Sequence, residues 1–114
     1  MHNIFVFENR ENKRYRTLAH ARIPHVLGEE TLLKDISITG CCVESTAYSD
    51  IKPETQYEIE IQPEAASKIG KFHLSVEVKW IKSTGYAGEV GFRIVASPKG
   101  RQFQRYVDYL AYRS

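Results

Sequence analysis

The sequence predicts a mainly β domain closed by one C-terminal helix, and three observations carry that reading. Several short segments alternate apolar and polar residues with a period of two, as half-buried strands do. Turn-forming residues punctuate them, at Gly28-Glu29-Glu30 and again over Ser37–Gly40. Near the end the period becomes helical: Phe103, Tyr106, Val107, Leu110 and Ala111 fall at i, i+3, i+4, i+7 and i+8.

In chain order, Ala19, Ala21 and Ile23 alternate with His20 and Arg22 to give the first strand. Two shorter strands, Thr31–Ile36 and Cys41–Ser45, flank the break at Ser37–Gly40. Tyr57, Ile59 and Ile61 alternate with Glu58, Glu60 and Gln62. The clearest strand runs from Phe72 to Trp80, with Phe72, Leu74, Val76, Val78 and Trp80 predicted to share one face. Val90, Phe92 and Ile94 alternate with Gly91 and Arg93 in the last strand. Six short strands with such punctuation fit a small antiparallel barrel or sandwich. The helix is expected from about Pro98 to Tyr112, with Ser97 as N-cap and Pro98 at the first helical position.

A chain of 114 residues has room for one domain. At this size roughly two-thirds of the unfolded surface is buried, enough for a core without disulfide or metal staples. No apolar stretch approaches the roughly 18–20 residues that cross a bilayer, so membrane insertion is not expected. Met1–Phe7 lacks the basic start of a signal peptide, and a cytoplasmic location is expected.

The net charge of +2 is too small to suggest a general nucleic-acid binder, but the distribution is uneven. Residues 1–26 carry five cations (Arg10, Lys13, Arg14, Arg16, Arg22) against Glu8 and Glu11. Residues 44–64 carry six acids against Lys52 alone. A long polyanion lying across the domain would meet that acidic stretch, whereas a small anion held by the N-terminal segment would not.

Enzyme chemistry has no positive support. No GxSxG, P-loop, GxGxxG or HExxH pattern occurs. His2, His20, His25 and His73 are scattered singly, which makes a metal site unexpected. Cys41 and Cys42 are adjacent, a poor disulfide pair, and strand alternation predicts one buried thiol and one exposed or half-buried thiol. No resident cofactor or metal is expected.

Two clusters carry chemistry. The first is basic, Arg10-Glu-Asn-Lys13-Arg14 with Arg16 close by. Each guanidinium presents a planar fork that matches phosphate oxygens or the O6/N7 edge of guanine, and it can stack on a purine. The second is Asp35-Ile-Ser37-Ile-Thr-Gly40, at the junction of two strands. Asp35 can accept from the N1–H and N2–H₂ edge of guanine. Ser37 can donate to a phosphate or support the turn, and Gly40 permits close backbone approach.

An RxxxR on a basic arm, about twenty residues before a DxSxxG at a strand junction, resembles the PilZ domain family. Val78-Lys79-Trp80 is similar to the family's hydrophobic-x-Trp strand end, and Gly91-Phe92 to the glycine–phenylalanine of its last strand. The resemblance implies a six-stranded antiparallel β-barrel with a C-terminal helix, a stand-alone receptor for cyclic di-GMP. It divides the chain into a flexible basic arm, residues 1–16, and a barrel with its helix, residues 17–114. Carried over, Arg10 and Arg14 grip phosphates and guanine faces, while Asp35, Ser37 and Gly40 hold a guanine on the barrel. The family's second arginine commonly lies just before the first strand, a place Arg16 also fits, so Arg16 and Lys13 are secondary candidates. The expected function is a receptor or adaptor whose arm orders over the ligand and signals to a protein effector. Two other readings remain: a PilZ-like interaction module that binds no nucleotide, and a small-barrel binder of single-stranded nucleic acid. Neither DNA nor RNA is an expected partner on the leading reading.

Overall fold

The computed structural model describes residues 13–28, 30–97 and 101–113. The strands are β1 (Tyr15–Arg16), β2 (His20–Arg22), β3 (Leu32–Ile36), β4 (Gly40–Ser45), β5 (Gln56–Gln62), β6 (Phe72–Ser83) and β7 (Gly88–Ala96). A 3₁₀ turn at Ala65–Ser67 separates β5 from β6, and the helix α1 spans Gln102–Arg113. Neighbouring strands are antiparallel throughout. Pairing runs β3–β2–β5–β6–β7–β4 and returns from β4 to β3, which closes a barrel of six strands.

The short β1 lies on the same edge of β3 as β2: Tyr15 and Arg16 pair with Ile36 and Asp35, and His20 pairs with Leu32. The two pieces are one strand with a break at Thr17–Ala19. Thr17 stabilises the break, its Oγ1 donating to the Leu33 carbonyl at 2.6 Å and accepting from Ala19 N at 3.0 Å. Leu18 is thrown outward. Among the described residues, pairing with the barrel is therefore already present at Tyr15, ahead of the expected boundary at residue 17. Tyr15 packs against the core, an apolar contact that its charged neighbours mask in the sequence.

The alternating positions form the core as predicted in β5, where Ile59 and Ile61 point inward and Glu58 and Glu60 outward. Phe72, Leu74, Val76 and Val78 do the same in β6. Trp80 is a correction, being exposed rather than on their face. A bulge between Val78 and Trp80 inserts Lys79, so that Val78 pairs with Phe92 and Trp80 with Gly91. One extra residue reverses the facing of everything after it. The predicted turn is closed by Thr31 N donating to the Gly28 carbonyl at 3.2 Å, but another turn precedes it. Pro24 stops the strand, His25 takes a positive φ of 67°, and Leu27 bridges back to Ile23.

The helix covers the barrel with Tyr106, Val107 and Leu110, all buried. Phe72 meets Phe103 and Tyr106 with ring centroids 6.0 Å apart in each case. Its start is Gln102, later than the predicted Pro98. Arg105 N donates to the Arg101 carbonyl at 2.8 Å, and Phe103 packs against the core. Ser97 therefore lies outside the helix, and Pro98 lies outside the described residues. Tyr109 packs against the core, where the predicted stripe had Ala111, which is exposed.

Candidate functional site

The Ser37–Gly40 turn is built by Ser37, which is 1% exposed. Its Oγ accepts from Thr39 N at 3.2 Å and Gly40 N at 3.1 Å, and donates to the Gly40 carbonyl at 3.3 Å. Ser37 N also donates to the Gly40 carbonyl at 2.8 Å. Of the two roles open to this residue, its hydroxyl serves the turn here. Gly40 then opens β4 against β7. A Cβ at Gly40 would stand 2.7 Å from the Phe92 carbonyl oxygen, a backbone atom, and 3.2 Å from Nη2 of Arg14. The absent side chain is what lets a guanidinium lie on the barrel at this point.

Arg14 reaches across from the N-terminal segment, its Nη1 donating to Oδ1 of Asp35 at 2.7 Å. Both side chains keep solvent contact, 48% for Arg14 and 25% for Asp35. An ion pair this exposed contributes only about 0–1 kcal/mol. Of the sequence-predicted residues, Arg14, Asp35 and Gly40 are thus brought together on the outer face, with Ser37 beneath as support. Arg10 lies outside the described residues. Arg16 is opposite Asp35 in the strand register, and its carbonyl accepts from Arg113 of α1 at 3.2 Å. Lys13 stands over the Tyr15 ring, 5.5 Å from its centroid.

Lys13, Arg14, Tyr15 and Arg16 line a groove of about 430 Å³ with Leu110 and Arg113 of α1. The root of the basic segment is therefore held between β3 and the helix. Beneath it, Tyr106 donates its hydroxyl to Oε1 of Glu64 at 2.6 Å. Burial and that carboxylate push the Tyr106 hydroxyl well above its ordinary pKa, so it stays a donor.

The strand register extends the site across the outer wall, because directly opposed residues share a face. One row reads Arg16, Asp35, Cys42, Gly91, Trp80 from β1 through β3, β4 and β7 to β6. The next reads Gly40, Arg93, Glu77. Gly40, Cys42 and Gly91 make a low floor between Asp35 on one side and Trp80 on the other. Gly91 is required there, since a Cβ would run into the Trp80 indole. The sequence reading placed Trp80 in the core and so missed it as a neighbour of this floor. The one signal was the glycine opposite it, which only the register reveals.

Both cysteines are buried and free, which corrects the expectation of one exposed or half-buried thiol. Cys41 faces the core. Cys42 faces outward, but Asp35, Lys34, Glu89 and Arg14 surround it closely enough to act on its thiol. Burial pushes the Cys41 thiol up to about 12 and the Cys42 thiol to about 11. Neither is a nucleophile at neutral pH. Among the described residues, no group of three His, Cys, Asp or Glu side chains could hold a metal. None of the described helices is long and apolar enough to cross a membrane.

A closed six-stranded barrel thus carries the Arg14–Asp35 pair beside the Ser37–Gly40 turn on its outer face. The PilZ domain family model matches residues 8–111, nearly the whole chain, and the chain belongs to the PilZ domain family. The domains of this family are cyclic di-GMP-binding and adaptor modules, not enzymes. No curated protein matches the chain closely enough to add to this.

Proposed function

We propose that the chain is a cyclic di-GMP receptor that passes ligand occupancy to a protein effector. The observation that carries this is the convergence of Arg14, Asp35 and Gly40 at one point, 21 residues separating the two ion-pair partners. Asp35 is paired with Arg14. Guanine offers Asp35 two donors in place of the guanidinium, and the ligand phosphates offer Arg14 a new anion. Each charge-assisted hydrogen bond to the ligand contributes about 1.5–3 kcal/mol, more than the exposed ion pair it replaces. The exchange is favourable for that reason.

Arg10 acts as the partner of Arg14 on the arm, four residues earlier, and Lys13 and Arg16 add charge at its base. Binding fixes residues 8–14 over the ligand beside α1, next to Tyr15 and Arg16, which already pair with β3. That changes the surface the arm, the turn and the end of the helix share, and a fold-on-binding segment couples occupancy to shape in this way. The location is the bacterial cytoplasm, where the nucleotide is made. Isothermal titration with cyclic di-GMP, with GTP and cyclic GMP as controls, tests the reading. Selective saturable binding at micromolar affinity or better is the expected result. Absence of heat, together with no thermal protection at high ligand concentration, would leave the interaction-module reading in its place. Steeply salt-dependent binding to oligonucleotides would instead favour the nucleic-acid reading.

A further inference from the structure

The geometry points to Arg93 as a further cation of the nucleotide site, one that exchanges its present partner, Glu77, for a ligand phosphate. This rests on the reading of the site given above. Arg93 is the register partner of Gly40 across β4 and β7. Opposed residues on antiparallel strands have their side chains about 4.5–5.5 Å apart at the base. Gly40 has no side chain, and Arg14 lies over it. Two guanidinium groups therefore flank one bare stretch of backbone.

Each has its carboxylate on the far side. Arg14 is drawn to Asp35 on β3, and Arg93 Nη2 donates to Oε1 of Glu77 on β6 at 2.7 Å. Among the described residues, the two carboxylates of these register rows, Asp35 and Glu77, are the ones that Arg14 and Arg93 already hold, and the residues between them, Gly40, Cys42 and Gly91, carry no charge. An anion placed there meets two forks at once, and a phosphodiester offers two free oxygens in a matching geometry. The Arg93 side chain is 53% exposed, so turning from Glu77 to the ligand requires no repacking of the core. Glu77 then acts as a holder that keeps Arg93 partnered until a phosphate competes for it.

The test is calorimetric titration of cyclic di-GMP into the wild-type protein and the variants Arg93→Ala, Arg93→Lys and Glu77→Gln, with melting curves for each. Loss of the arginine weakens binding roughly tenfold or more, since a charged hydrogen bond is lost. Arg93→Lys keeps the charge without the fork and also binds more weakly than wild type. Glu77→Gln frees the arginine and tightens binding about two- to fivefold, the strength of an exposed ion pair. A merely structural ion pair predicts instead that Arg93→Ala and Glu77→Gln shift affinity in the same direction. That result, or wild-type affinity in all three variants, overturns the inference while leaving the receptor reading intact. If the wild-type protein itself does not bind, both fail together. Should Arg93→Ala melt too low to titrate, the opposed effects of Arg93→Lys and Glu77→Gln decide the matter.

Discussion

The Ser37–Gly40 turn and the Lys13–Arg16 segment meet at one site but are built in opposite ways. The turn is buried at its first residue, hydrogen-bonded through one hydroxyl and fixed at both ends by strands. In the segment Lys13, Arg14 and Arg16 are exposed, and Arg14 is placed by a single exposed ion pair. On the proposed function, one half of the site is built in advance and the other completes it on binding. A receptor gains from that division. If the proposal holds, the rigid half costs no ordering entropy on binding, whereas the adaptive half converts binding into a change of shape.

The largest effect should come from breaking the rigid half. Gly40→Val forces a side chain against the Phe92 carbonyl and should destabilise the protein by about 3 kcal/mol. Thermal melting would show it as a fall of roughly 10 °C or more. Ser37→Ala leaves two turn amides short of their acceptor and should cost about 1–2 kcal/mol by urea denaturation. Arg14→Ala, in the adaptive half, should reverse the pattern. Its effect on melting should be under about 1 kcal/mol, while calorimetry should find cyclic di-GMP affinity reduced roughly tenfold or more. Equal stability losses in Ser37→Ala and Arg14→Ala would erase the distinction between the halves. The smallest expected change is none at all: Cys41 and Cys42, which follow the turn, should resist iodoacetamide at pH 8 until the protein unfolds. Their thiols stand at about 12 and about 11, and mass spectrometry of the labelled protein reads the outcome.

The parts of the fold that the sequence revealed are those where a single period persists. β5 and most of β6 alternate without interruption, and Tyr106, Val107 and Leu110 mark the helix face. What it hid are interruptions that leave no compositional trace. The Lys79 bulge turned Trp80 outward, and only the pairing of Trp80 with Gly91 shows why. Cys42 is enclosed although it faces outward, because residues from β3 and β7 close around it, and strand alternation carries no information about such neighbours. At the site, Asp35, Ser37 and Gly40 stood out through their spacing, and so did Arg14. Arg93 did not, since one arginine on an alternating strand looks like any solvated position until register places it opposite Gly40.

The division between a finished turn and a completing arm is tested most directly by amide hydrogen exchange with and without saturating cyclic di-GMP. The account predicts new protection in peptides covering residues 8–14, with exchange at Ser37–Gly40 already slow and little altered. Unchanged exchange in residues 8–14 at saturation, or protection that appears first in the turn, would contradict it.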